Sequence, residues 1–244
     1  MPTPAFNDTG RNFQLSIIIP VLNEAAIARD YLSQLPYRED IEVLVVDGGS
    51  QDQTVAICRQ FPVQVLVSPS PGRSQQMNWG ARQAQGEILL FLHLDSCLPG
   101  NFFPLIPETL ADPTVIAGAF QLAIALPHWP YRWLEKAILW RSSWWQLPYG
   151  DQGLFLTQQC FQQLGGFAEL PLMEDYELVQ RLKTLGRVAI APAAVTTSGR
   201  RWQKLGLLKT TLINQAIVLG YHLGIPPQTL ARWYHQRPTV RPGV

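Results

Sequence analysis

The chain has 244 residues, 47% hydrophobic and 15% charged, an ordinary globular composition with length for one large domain and its embellishments. Three scattered cysteines, Cys58, Cys97 and Cys160, exclude a paired metal-ligand spacing and a disulfide framework. With no apolar signal segment in residues 1–11, a cytoplasmic setting is expected. The net charge of +1 hides an asymmetry: 18 acidic and 9 basic side chains lie up to Glu177, and ten basic ones follow with no acid among them.

That split points to an anion facing the C-terminal part, or to two halves that neutralise each other. In chain order, LSIIIP (15–20) reads as a strand and 23–35 as a helix closed by Pro36. A second strand, IEVLVVD (41–47), leads into GGSQDQTVAICRQF, where Ser50 and Gln53 have the spacing of a capping box. A third strand over 63–68, a helix over 72–86 and a fourth strand, EILLFLHLD (87–95), continue the alternation. Apolar strands alternating with helices predict an α/β fold with a mostly parallel, doubly wound sheet.

After Pro99 the alternation breaks down. A helix near 101–111 precedes VIAGAFQLAIAL (115–126) and the Trp-rich segment 128–150. A strand over 152–157, a short helix, a helix over 173–186 ending at Gly186 and a last strand, RVAIAP, follow. With no linker and no repeat, the expected layout is a tail over 1–14, one domain over 15–202 and a basic helical extension over 203–244.

In open α/β sheets, ligands sit beyond the carboxyl ends of the strands. Three strands here end in polar residues: PVLNE, DGGSQD and HLDS. Gly48 and Gly49 after Asp47 let a ligand approach the backbone, although DGGS alone is a common turn. A carboxylate such as Asp95 at the end of a buried strand needs a partner.

SIIIPVLNE, VLVVDGGSQDQT, GRSQQMNWGARQAQGEILLFLHLDS, GDQGLF, GGF and PLMEDYEL occur in the order seen in family-2 glycosyltransferases. Over about 15–202 the chain resembles that family, which has the GT-A fold, and it is most similar to small single-domain bacterial members. The resemblance implies transfer of a sugar from a nucleoside-diphosphate sugar, of UDP or GDP type, to an acceptor hydroxyl with inversion. It places Pro20, Asn23 and Glu24 around the nucleoside, Asp47 and Gly48 at the base, and Arg73, Asn78, His93 and Leu94 near the donor. Asp95 would hold Mg²⁺ or Mn²⁺. The family's first aspartate of that pair is His93 here, which leaves open a packed histidine, a ribose or phosphate contact, or a softer ligand favouring Mn²⁺.

The resemblance makes Asp175 the catalytic base and Glu174 its fallback, with Glu177 supporting the geometry. Acids in a helix's first turn are also what its dipole favours. Gly150, Asp151 and Gln152 would line the acceptor pocket, with Arg200, Arg201 and Trp202 of SGRRW as further binding residues. Trp133, Trp140 and Trp144 share one helical face, which suits either a membrane interface or packing on the sheet. The segment 205–225 is long enough to span a bilayer, but Lys209, Asn214, Gln215 and His222 interrupt it, so a surface or packing helix fits better. Peripheral contact with an anionic inner leaflet and a lipid-like acceptor follow as expectations.

The competing readings are a nucleotidyltransferase of similar topology, although its Gly-rich Arg/Lys signature is missing, and a non-catalytic nucleotide-sugar-binding protein. A dehydrogenase lacks its GxGxxG, and no known module supports nucleic-acid binding.

Overall fold

β1 (Leu15–Val21) and β2 (Ile41–Asp47) are mostly apolar, with buried Ser16 donating to buried Glu42, because they lie in the middle of a sheet covered on both faces. Leu15, Ile17 and Ile19 point to one face and Ile18 to the other, as the two-residue period of a strand requires. The computed structural model describes residues 13–235; the expected tail lies almost wholly outside them, as do Arg237 and Arg241.

The first half alternates as its sequence predicts. β1, α1 (Ala25–Leu32), β2, α2 (Thr54–Cys58), β3 (Gln64–Val67), α3 (Arg73–Gln83) and β4 (Ile88–Phe91) follow in order. Two boundaries differ. Asn23 adopts a left-handed backbone, φ 53°, so α1 starts two residues later than expected. The Ser50–Gln53 capping box does not form: the Ser50 hydroxyl instead accepts from the Asn23 amide at 2.9 Å. Asp52 takes over at the start of α2, accepting from the Thr54 amide at 2.9 Å.

β5 (Ser96–Cys97), α4 (Phe102–Leu110), β6 (Val115–Ile124), α5 (Trp129–Trp144), β7 (Leu154–Thr157), α6 (Gln158–Gln163), α7 (Glu174–Leu185) and β8 (Arg187–Thr197) complete the domain. The eight-stranded order is β3-β2-β1-β4-β7-β6-β8-β5. Pairing is parallel through β3-β2-β1-β4, but β7 enters antiparallel between β4 and β6, so the second half is mixed. β8 runs five residues past the expected RVAIAP because the register shift where β6 passes from Phe120 to Gln121 accommodates Pro192.

Helices α1, α2 and α4 cover one face and α3, α6 and α7 the other. Ile17, Ile18, Leu44, Leu89, Leu90 and Phe155 are wholly buried, each worth about 1.5–3 kcal/mol relative to exposure. α3 lies tight on the sheet at Gly80, where a Cβ would come within 2.6 Å of Ile18 Cγ2 and 2.9 Å of Val46 Cγ2.

The C-terminal segment is broken, not one helix. α8 (Arg200–Leu205) and α9 (Leu207–His222) meet at Gly206, φ 82°, and α10 (Pro227–His235) folds back on α9. Ile217 and Leu230 share a buried cluster with Met173 and Tyr176 of the α7 entry, so the extension walls the domain's cleft. No helix among the described residues is long and apolar enough to cross a membrane.

Candidate active site

Two loops beyond the carboxyl ends of β1 and β2 interlock. The Glu24 amide donates to Thr54 Oγ1 at 2.8 Å, the Ala25 amide to Asp52 Oδ2 at 3.1 Å, and the Gln51 amide to Asn23 Oδ1 at 2.8 Å. Asp47, 2% exposed, turns its carboxylate onto the amides of Gly49 and Ser50, at 2.9 and 3.0 Å from Oδ2. Beneath them, buried Gln76 donates to the carbonyls of Val21 and Val46 at 2.8 and 2.7 Å, tying both strand ends to α3. Gly48 is small for a reason: its Cβ would meet the Gln76 amide at 2.9 Å.

Opposite these loops a cleft of about 160 Å³ opens between α3, α7 and the C-terminal helices. Arg73, first residue of α3, reaches Glu174 (Nε–Oε1 3.4 Å), and its Nη2 contacts His93 Nε2. Burial, then the Arg73 charge, hold His93 well below the usual imidazole range, so it is a neutral acceptor for the guanidinium. Asp175 Oδ2 accepts from the Gly150 amide at 2.6 Å. A Cβ on Gly150 would sit 2.9 Å from both Arg73 Nη2 and Asp175 Oδ2, so glycine permits this approach.

Burial pushes Asp151 up to about 6; the Asp175 charge adds to the rise, while Arg141 and Arg73 oppose it. Burial also raises Glu174 against the pull of Arg73, with Asp175 adding to it. Arg141 and Arg201 stack on Tyr149 and Tyr234 at 3.6 and 3.9 Å, and each buries an Nε without a hydrogen-bond partner. The cleft thus joins proton-accepting carboxylates to the Arg73 guanidinium, a group suited to an anion.

At the mouth of the sheet, β4 stops at Phe91, so His93 and Asp95 lie in the following turn, not on the strand. Asp95 Oδ2 pairs with Arg200 Nη2 at 3.3 Å, and the Asp95 carbonyl accepts from the Ser198 amide at 3.1 Å. Glu24 stands nearby: burial raises it, and the charges of Arg200, Asp95 and Asp52 reach it. Among the described residues no three His, Cys, Asp or Glu side chains converge as a ready-made metal site. A hard cation completed by waters and substrate phosphates needs only one or two carboxylates. Asp95, half-buried and paired edge-on with an exposed arginine, fits that donor set.

Four expected ligand contacts are turned inward instead. Asn78 clasps the Phe167 backbone, donating to its carbonyl at 2.8 Å and accepting from its amide at 2.9 Å. Gln152, wholly buried, accepts from Ser142 and donates to the Phe120 carbonyl, because a buried amide must be satisfied. Leu94 belongs to the main core, and Trp202 packs with Ile124 and Leu126. Pro20 is half-buried as the next-to-last residue of β1. Glu177 supports the geometry through Arg181, which in turn holds the Leu164 and Gly166 carbonyls.

The sequence reading missed Gln76, Asp52, Tyr149, Asn214 and Tyr234. Asp52 was findable from its DxT spacing to Thr54; the others reach their places through tertiary contacts alone.

Residues 16–168 match the family model described as Glycosyl transferase family 2. A probable glycosyltransferase, YdaM of Bacillus subtilis, is 23% identical over 75% of this chain and 50% of its own length. A beta-monoglucosyldiacylglycerol synthase of Synechocystis is 26% identical over 69% of this chain and 40% of its own. The chain spans about half the length of the relatives it matches. A mannosyltransferase from Pyrobaculum calidifontis, solved with GDP-Man and Mn²⁺, superposes with a TM-score of 0.61 at 22% identity, covering 80% of this chain and 60% of that one. The GT-A glycosyltransferase fold is therefore shared.

Proposed function

The chain belongs to glycosyl transferase family 2, and from that premise we propose that it is an inverting glycosyltransferase using a nucleoside-diphosphate sugar. The observation that carries this reading is the facing arrangement of Asp175, held by the Gly150 amide, and the Arg73–Glu174 pair in one cleft. Asp175 takes the proton from the acceptor hydroxyl as its oxygen bonds to the anomeric carbon. The bond from that carbon to the diphosphate breaks on the opposite face, which inverts the centre. Glu174 orients Arg73, and Arg73 faces the departing charge.

Asp95 would hold Mg²⁺ or Mn²⁺, with Arg200 yielding its place on the carboxylate. Such an ion, when bound, supplies charge neutralisation to the diphosphate. The donor loops, with Asn23, Glu24, Asp47 and Gly48, form the nucleoside side, where the backbone around Asp47 and Gly48 is the surface a base would meet. UDP and GDP are the candidate nucleotides, in line with neighbours of the same fold solved with GDP-Man and with UDP-GlcNAc.

The acceptor we assign is a lipid-like alcohol. Ile217, Val218, Leu172 and Tyr234 make much of the cleft wall apolar, and the name of the Synechocystis relative specifies a monoglucosyldiacylglycerol product.

A thermal-shift panel of UDP- and GDP-sugars, with and without Mn²⁺, followed by donor hydrolysis on the best hit, tests the reading. A metal-dependent rise in melting temperature and slow hydrolysis are expected, both lost in Asp95→Ala. Full metal-dependent hydrolysis by Asp95→Ala would overturn the metal assignment. Binding with no turnover under any condition would leave a nucleotide-sugar-binding protein.

A further inference from the structure

Two helices far apart in sequence carry one exposed pattern. On α5, Trp129, Trp133, Trp140 and Trp144 are 73, 65, 56 and 74% exposed. On α9 and its cap, Leu208, Leu212, Leu219 and Leu223 are 75, 69, 60 and 72% exposed. Both sets step by four, seven and four residues, which at α-helical pitch confines each to an arc of about 60°. Large apolar side chains gathered this way on a soluble face mark an interaction surface.

The two helices are neighbours. Leu134 and Ile138 of α5 and Thr211 and Gln215 of α9 wall the same small cavity. That cavity shares Tyr149, Asp151 and Asn214 with the catalytic cleft. The helices that carry the stripes therefore flank a cavity that adjoins the cleft.

Charge selects the partner. Of the eight Lys or Arg on helices α5, α8, α9 and α10, Arg141, Arg200 and Arg201 are engaged toward the cleft and Arg132 pairs the one acid, Glu135, at 3.0 Å; Lys136, Lys204, Lys209 and Arg232 remain exposed on the surface. Lys136 lies 5.3 Å from the Trp133 ring centre, and Lys204 near the end of α8 and Lys209 near the start of α9 are exposed. Two copies of such a face would set like charges against each other. An anionic bilayer complements it, and indole rings favour the depth of the headgroups.

We propose that the α5–α9 face docks the protein onto an anionic lipid surface, with the tryptophan and leucine stripes entering the headgroup boundary and the lysines above them. The helices lie on the bilayer without spanning it, in keeping with their length. This deepens the lipid-acceptor part of the proposed function by stating how the cleft meets its acceptor.

The test is flotation of the full chain with phosphatidylglycerol–phosphatidylcholine vesicles and with pure phosphatidylcholine vesicles. Binding at least about tenfold stronger to the anionic vesicles, and weakened by high salt, is expected. The combined variant Trp133→Ser, Trp140→Ser, Leu212→Ser and Leu219→Ser should lose that binding about tenfold or more. Its circular dichroism melt should shift little and its donor hydrolysis in vesicle-free buffer should be unchanged, since these side chains are more than half exposed and none lines the cleft. Unchanged hydrolysis with no vesicle binding by the wild type would sink the docking face and leave the transferase reading intact. Equal flotation of wild type and variant would also overturn it. So would a wild-type dimer in sedimentation that the four substitutions dissociate, because the stripes would then cover each other.

Discussion

The loops after β1 and β2 and the cleft beneath α7 both gather carboxylates, and they treat most of them in opposite ways; Glu24, raised by burial at the loops, and Asp175, met by the Gly150 amide in the cleft, are the exceptions. Asp47 and Asp52 are met by backbone amides, and hydrogen bonding, from Thr54 first, holds Asp52 below its ordinary range. Asp151 and Glu174 are instead raised by burial, in a space they share with Asp175 and Arg73. The carboxylates of Asp47 and Asp52 are satisfied by the loops' own amides and hydroxyls. The cleft keeps an electrostatic cost that a bound substrate can relieve, as expected where proton transfer is needed.

The sharpest way to break this contrast is Asp175→Asn. Sugar transfer should fall about 10²–10⁴-fold while donor binding by thermal shift is retained. Unchanged transfer would remove Asp175 as base. Next comes Asp47→Ala, which orphans the Gly49 and Ser50 amides and should cost about 2–3 kcal/mol in urea unfolding. A loss under about 0.5 kcal/mol would mean that the loops hold their shape without it.

Asp151→Asn should act in the other direction. Its folded pKa, about 6, lies above the unfolded 3.8, so its stabilising contribution is full below about pH 4 and lost as the pH rises through 6. Replacing the carboxylate should therefore raise stability by about 1–2 kcal/mol at neutral pH, a figure discounted for partial exposure, and by almost nothing near pH 4. Melting curves at the two pH values check this; destabilisation at neutral pH would contradict it. Smallest in stability is Arg200→Ala, under about 1 kcal/mol because its bridge to Asp95 is exposed. Donor turnover should nevertheless fall about tenfold, because the guanidinium that yields Asp95 to an ion would then face the diphosphate.

The legible parts of the molecule are those where local pattern decides. The apolar runs of β1, β2 and β4 announced a parallel half, and their polar ends announced the loops around Asn23, Asp47 and Asp95. The antiparallel entry of β7 was not legible, because LFLT pairs with either strand direction equally well by composition. Nor could side-chain chemistry tell that Asn78 and Gln152 face inward, since an amide satisfies a backbone or a ligand with the same atoms. Helical periodicity put Trp133, Trp140 and Trp144 on one face without saying which way it looks; the structure turns it to solvent.

Helix α3 joins Arg73 in the cleft, Gln76 under the donor loops and Asn78 at the Gly166–Phe167 turn along six residues of one rigid rod. Three fittings on a single shaft cannot be adjusted one at a time. A methyl group at Gly80, wedged against Ile18 and Val46, would lift the shaft from its bearing. Nucleotide binding, proton transfer and the anchoring of the chain's second half would then drift together, although the wedge touches none of the parts that perform them.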